Sequence, residues 1–155
     1  MGQLYLVRHA KAGERRLWEA NDLDRPLSKK GWKQAEAVGK RLQKLDPSDL
    51  LSSPYVRCVQ TLEPLGRRME RPITIDVRLT EDEPVGPVLD LLRQVADGAV
   101  LCSHGDIIPA TIQTLQANGT AVRTPVDWRK ASVWVLRRNK RGNIVTATVW
   151  PPPKL

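Results

Sequence analysis

Histidine occurs only twice in this chain of 155 residues, at His9 and His104, and each follows a short apolar run. Leu4-Tyr5-Leu6-Val7 leads into Arg8-His9, and Ala99-Val100-Leu101-Cys102-Ser103 leads into His104-Gly105. A neutral imidazole can attack phosphorus in line and form a phosphohistidine that water then hydrolyses, and a second imidazole can stabilise charge spread over the equatorial oxygens. Arg8 and Arg57 add two permanently charged guanidiniums, whose paired N–H groups match phosphate oxygens. This set suits a phosphoryl group better than an acyl group. Each member has an ordinary alternative: Arg8-His9 as a satisfied polar pair, Arg57 as a helix-surface arginine, Ser103-His104-Gly105 as a plain turn. The functional reading rests on their convergence.

Convergence requires particular elements. An apolar run of four residues bounded by polar ones reads as a buried strand, with Arg8 and His9 emerging at its end. Residues 11–27 lack periodicity and read as a long loop over that end, where functional loops of this length concentrate. Ser28 is an N-cap, and Ala35, Val38, Leu42 and Leu45 recur at helical spacing. Asp49–Ser52 is a brief second strand. Ser53-Pro54 then reads as an N-cap with proline at the first helical position, placing Arg57 and Cys58 in the first turn of a helix that Pro64 kinks or divides. The positive end of that helix dipole would add to the anion site.

Further on, Ile73–Ile75 forms an edge strand, a helix runs over residues 85–96, and residues 99–103 form another strand. Gly105 permits a tight turn before a helix over residues 107–115. Residues 132–136 and 144–149 pair as a hairpin. Strands alternating with helices predict one α/β domain over residues 1–150, a three-layer sandwich with a mostly parallel central sheet and helices on both faces. Residues 151–155 form an extended Pro-rich tail. Right-handed crossovers would bring the strand ends bearing His9, Ser52 and His104 to one edge, where open α/β sheets place their ligands.

Composition narrows the classes. The 41% hydrophobic content is that of a globular chain, and no apolar run approaches the roughly 18 residues of a membrane span. Met1-Gly2-Gln3 leads straight into the first strand without the features of a signal peptide, so the expected compartment is the cytoplasm. Cys58 and Cys102 lack a metal-binding spacing and read as reduced core residues. A formal charge of +8 favours an anionic partner, although much of it sits on one helix face between Lys29 and Lys44. Specific nucleic-acid binding has no helix-turn-helix pattern and no aromatic-basic interleave to support it. Lys11, Arg15, Arg16 and Arg25 in the loop are candidates to recognise a second phosphate or an acidic protein surface.

Three segments, in order, resemble the signatures of the histidine phosphatase (phosphoglycerate mutase-like) superfamily: Leu6-Val7-Arg8-His9-Ala10, Ser52-Ser53-Pro54 with Arg57-Cys58-Val59-Gln60-Thr61, and Cys102-Ser103-His104-Gly105. The resemblance implies a phosphatase with no cofactor or metal, in which His9 is the nucleophile and Arg8, Arg57 and His104 form the phosphate pocket. Leu79-Thr80-Glu81 resembles the segment carrying the leaving-group acid, implying that role for Glu81; the bland alternative is a solvated acidic turn. Within the superfamily, Arg8-His9-Ala10-Lys11 and Asp24-Arg25-Pro26-Leu27-Ser28 are similar to SixA-type phosphohistidine phosphatases, which favours Arg25 among the loop cations.

The Arg57–Thr61 run and Cys102–Pro109 are similar to the phosphatase domain attached to some actinobacterial MutT-type Nudix hydrolases, implying a functional link to such an enzyme. The expected substrate is a phosphoester, phosphoanhydride or phosphoramidate carried by a nucleotide or other small phosphorylated metabolite. A SixA-type protein phosphohistidine phosphatase and a non-catalytic phosphate- or phosphoprotein-binding module are the competing readings.

Overall fold

A computed structural model describes residues 2–155. Seven strands form one sheet: β1 (Gly2–Arg8), β2 (Leu50–Ser52), β3 (Ile73–Ile75), β4 (Val100–Ser103), β5 (Ala121–Val122), β6 (Val133–Arg138) and β7 (Ile144–Trp150). Their spatial order is β3-β2-β4-β1-β6-β7-β5. β3, β2, β4 and β1 are mutually parallel, β6 runs against β1 and β7, and β5 is parallel to β7. The sheet is therefore mostly parallel, with one reversed strand from the expected hairpin. The two-residue strand β5 carries too short a pattern to be read from sequence.

Four helices cover it: α1 (Lys29–Gln43), α2 (Val56–Met69), α3 (Val85–Gln94) and α4 (Ile107–Ala117). Strand periodicity sends alternate residues of β1 to opposite faces. Leu4 and Leu6 join Val88, Leu91 and Leu92 of α3 and Ile107, Ile108 and Ile112 of α4. Tyr5 and Val7 join Ala35, Val38 and Leu42 of α1 and Cys58, Leu62 and Leu65 of α2. These two apolar clusters are the cores on either side of the sheet, giving the three layers. No helix among the described residues is long and apolar enough to cross a membrane.

Several local expectations change. Ser28 caps α1 by accepting from the Gly31 amide at 3.1 Å. Ser53, however, does not cap α2: the helix begins at Val56 with Tyr55 in the cap position, and the Ser53 hydroxyl is engaged elsewhere. Pro64 is buried inside α2 without dividing it, because packing against α1 and the sheet carries the helix through the missing amide bond. α3 stops at Gln94, where Val95 turns extended. The loop over residues 11–27 holds two single 3₁₀ turns, Arg15–Leu17 and Asp22–Asp24, and is closed at its base by an antiparallel bridge between Ala12 and Leu27. The Pro-rich tail is no free end, for Pro152 and Pro153 are half-buried.

Candidate active site

The crossovers set β2, β4 and β1 side by side, so Ser52, Ser103 and Arg8 end at one edge of the sheet. A cleft of about 530 Å³ opens there, lined by His9, Arg8, Arg57, Glu81, His104 and Gly105 together with Lys11 and Arg25. These eight candidates, and Arg15 with them, thus line one cleft; Arg16 does not.

His9 is buried immediately beyond β1. Its Nδ1 lies 2.8 Å from the Ala10 carbonyl, an acceptor only, so Nδ1 carries the proton and Nε2 keeps its lone pair. Burial above all, reinforced by the nearby charges of His104, Arg57 and Arg8, lowers its pKa to about 3 against the partial support of the Ala10 carbonyl. The ring is accordingly neutral at physiological pH, which is the form a nucleophile needs. The strand end is fixed by further bonds: the His9 amide donates to the Ser103 carbonyl at 3.1 Å, and the Ala131 amide bridges the Arg8 and His9 carbonyls.

The His104 ring stands 5.6 Å from His9, centroid to centroid and tilted by 65°. Ser53 Oγ is 2.8 Å from His104 Nε2, while His104 Nδ1 faces Glu81 Oε2 at 3.8 Å. The Tyr55 ring packs edge-on against His104 at 4.8 Å and lies under the Arg57 guanidinium at 4.7 Å. Ser53 and Tyr55 are therefore part of the site, though the sequence reading assigned a role there to neither.

Arg57, in the first turn of α2, is almost fully buried. Its Nη2 contacts Glu81 Oε2 at 3.3 Å and Asp22 Oδ2 at 3.2 Å, and Nη1 donates to the Asp22 carbonyl at 3.1 Å. Thr61, one turn further along, donates to the Arg57 carbonyl at 2.7 Å and accepts from the Ala10 amide at 2.9 Å, joining α2 to the residue after His9. Arg8 donates from Nη1 to the Trp128 carbonyl at 2.5 Å. A Cβ on Gly105 would lie 2.6 Å from Arg8 Nη2, so only glycine leaves room for this guanidinium.

Arg8 Nε, Arg57 Nε and His104 Nδ1 are buried and have no acceptor among the described residues. Unmade bonds to buried polar nitrogens are costly and uncommon in native proteins. All three belong to residues that line this one cleft, and their chemistry suits anionic oxygens.

Glu81 reaches the site from a turn held at two points. Ser103 Oγ donates to the Leu79 carbonyl at 2.7 Å, and the Asp82 amide, with Asp82 at φ +65°, donates to Asp106 Oδ2 at 2.8 Å. Glu81 therefore faces Arg57 and His104 instead of lying in a solvated turn.

The loop cations divide. Arg25 is buried, with Nε on Asp22 at 2.8 Å and Nη1 on the Gly13 carbonyl, so its donors hold the loop together. Arg15 reaches Asp22 and Glu81, and Arg16 pairs outward with Glu14. Lys11 is held through its backbone, its amide donating to Gln34 Oε1 and its carbonyl lying where a Cβ of Gly31 would be. Lys130, which the sequence reading passed over, also lines the cleft. Asp22 was missed for a simple reason: nothing in its local sequence says that the loop folds back to Arg57.

Fold and site together define a histidine phosphatase-type protein, and the family model for branch 1 of the histidine phosphatase superfamily matches residues 4–83; the chain belongs to that superfamily. Over 154 residues, 96% of this chain, it is 31% identical to an 8-oxo-(d)GTP phosphatase of Mycolicibacterium smegmatis, spanning 48% of that relative's length. It is 38% identical over 84 residues to a Salmonella paratyphi C protein named "Probable phosphoglycerate mutase GpmB", covering 52% of this chain and 38% of that one. The chain thus spans half or less of these curated relatives. Among solved structures, the protein histidine phosphatase SixA complexed with tungstate superposes with a TM-score of 0.75 at 24% identity, covering 96% of this chain and 94% of that one. That likeness is one of fold.

Proposed function

We propose that this protein hydrolyses a phosphoester or phosphoanhydride through a phosphohistidine on His9, without a metal ion. The observation that carries the proposal is a neutral, buried His9 lining one cleft with Arg8, Arg57 and His104, each of which holds a buried nitrogen without an acceptor among the described residues. His9 Nε2 attacks phosphorus, the P–N bond forms, and the leaving oxygen departs with the bonding electrons. Arg8, Arg57 and His104 hold the equatorial oxygens as charge moves. Water then attacks the phosphohistidine and releases orthophosphate.

Glu81 is the proposed proton donor to the leaving oxygen. Its carboxylate lies 3.3 Å from Arg57 Nη2 and faces His104, beside the position a phosphate would take. Such an acid assists an alkoxide or phosphate leaving group most, which supports ester and anhydride substrates over a phosphoramidate. A nucleotide is the substrate class supported by the M. smegmatis relative's name. A functional link to a Nudix hydrolase belongs to the same proposal and rests on the resemblance of the Arg57–Thr61 and Cys102–Pro109 segments.

The test is turnover of p-nitrophenyl phosphate with chelator present, alongside trapping of labelled phosphate. Wild-type protein should form an acid-labile, base-stable label, and His9→Asn should lose both label and turnover while keeping its circular dichroism. Turnover by His9→Asn at the wild-type level would overturn the reading. Label released from a phosphohistidine protein but from no ester or anhydride would transfer the assignment to phosphoramidates.

A further inference from the structure

A second cleft of about 760 Å³ adjoins the first and shares Arg8, Lys11 and Lys130 with it. Beyond these shared cations it is walled by Lys30, Arg129 and the Pro151–Pro153 run of the tail. Lys11, Lys30 and Lys130 form no salt bridge with any carboxylate among the described residues. Lys130 is half-buried in the wall between the clefts. Burial first, and then the charges of Arg8, Arg25, Lys11 and Arg57, make its ammonium easier to deprotonate than an ordinary lysine's.

Arg25 and Arg57 are balanced by Asp22 and Glu81, whereas Lys130, Lys11 and Lys30 line the second cleft without a carboxylate partner among the described residues, and a half-buried ammonium among unpaired cations favours an added anion. A phosphoryl group at His9 has Arg8, Arg57 and His104 in its own cleft and leaves Lys11 and Lys30, which reach into the second cleft, unengaged. The surplus lies on the side leading away from His9. It also continues past Lys130 into the second cleft, as an elongated anion requires and a single extra carboxylate does not. No aromatic side chain lines that cleft to stack on a base.

From this geometry we propose that Lys130, with Lys11 and Lys30, forms a subsite for the phosphates behind the reacting one, so that the substrate class is a polyphosphate chain cleaved at its terminal anhydride. The proposal rests on the phosphatase reading above and deepens it. His9 Nε2 bonds to the terminal phosphorus, the bridging P–O bond breaks, and its electron pair leaves on the shortened polyphosphate. Glu81 gives that oxygen a proton, and Lys130 stabilises the departing charge. Water then cleaves the P–N bond, giving orthophosphate and returning a proton to Glu81.

Inorganic tripolyphosphate and p-nitrophenyl phosphate separate the subsite from the reacting centre. In Lys130→Met, kcat/KM for tripolyphosphate should fall at least about tenfold further than for the aryl phosphate, mainly through KM, as expected for one lost charge-assisted contact. Lys130→Arg should restore most of that ratio, and Lys30→Gln should lower it by a smaller factor.

Calorimetric binding of tripolyphosphate to His9→Asn, with and without Lys130→Met, reads the subsite independently of turnover. A tenfold weakening there would support the subsite even if no phosphohistidine formed and the catalytic reading failed. Equal losses on both substrates with unchanged tripolyphosphate binding would overturn it. So would a wild-type enzyme that hydrolyses a phosphohistidine protein in a Lys130-dependent manner but neither binds nor cleaves tripolyphosphate.

Discussion

Burying a neutral histidine makes folding depend on pH in a way that can be measured apart from catalysis. In an unfolded chain His9 would titrate near pH 6.5; in the native protein burial holds it at about 3. As pH falls, the unfolded chain takes up this proton first, so acid favours unfolding. The contribution is in place above about pH 7, drains away between about 6.5 and 3, and changes no further once the native ring also protonates. At about 1.4 kcal/mol per pH unit, the loss between pH 7 and 4.5 comes to about 2.5 kcal/mol.

His9→Asn removes the titration while keeping an amide donor for the Ala10 carbonyl that Nδ1 now uses. Urea unfolding of both proteins at pH 7, 5.5 and 4.5 isolates the effect, because the other titrating groups are common to both. Wild type should lose about 2.5 kcal/mol more than the variant across that range. Parallel curves, differing by less than about 0.5 kcal/mol, would refute a ring kept neutral by burial and with it the ready-made nucleophile.

Two further substitutions probe the pocket. Gly105→Ala puts a methyl group 2.7 Å from Arg8 Cζ, so the guanidinium must leave its bond to Trp128; kcat for an aryl phosphate should fall about 10²–10³-fold with circular dichroism unaltered, and a normal kcat would exclude Arg8 as a phosphate ligand. Glu81→Gln should slow alkyl phosphates by about 10²–10⁴-fold but p-nitrophenyl phosphate far less, since nitrophenolate leaves unaided; equal losses on the two would remove the acid role.

The chemistry-bearing residues were legible because each sits at the end of an element with a strong local signature. Leu4–Val7 could only be a buried strand, and the residues after it had to emerge at its edge. What escaped depends on contacts across the fold. Ser53-Pro54 has the local form of a helix start, but the Ser53 hydroxyl is taken by His104, fifty-one residues away, and the helix begins later. Lys130 lies just before β6, and only the antiparallel pairing of β6 with β1 carries it to the site. Glu81 is read from its resemblance as the leaving-group acid, with a solvated turn as the alternative; what holds it toward Arg57 and His104 is Asp82 in a left-handed conformation bound to Asp106, which no local pattern shows. Arg25 resembled a ligand and is placed at the cleft, yet its partners are Asp22 and Gly13 of its own loop.

Asp22 means that Arg57 is never a bare charge in a dry pocket. Its carboxylate, lowered in pKa by Arg25, Arg57 and Arg15 against its own desolvation, already occupies the guanidinium that a phosphate would take. An incoming phosphate exchanges with a tethered rival whose effective concentration, for a short flexible link, is in the millimolar range. A substrate with many contacts outcompetes that rival. Free orthophosphate has fewer, so on the proposed mechanism the carboxylate that shields Arg57 before the reaction would also help to displace the product after it.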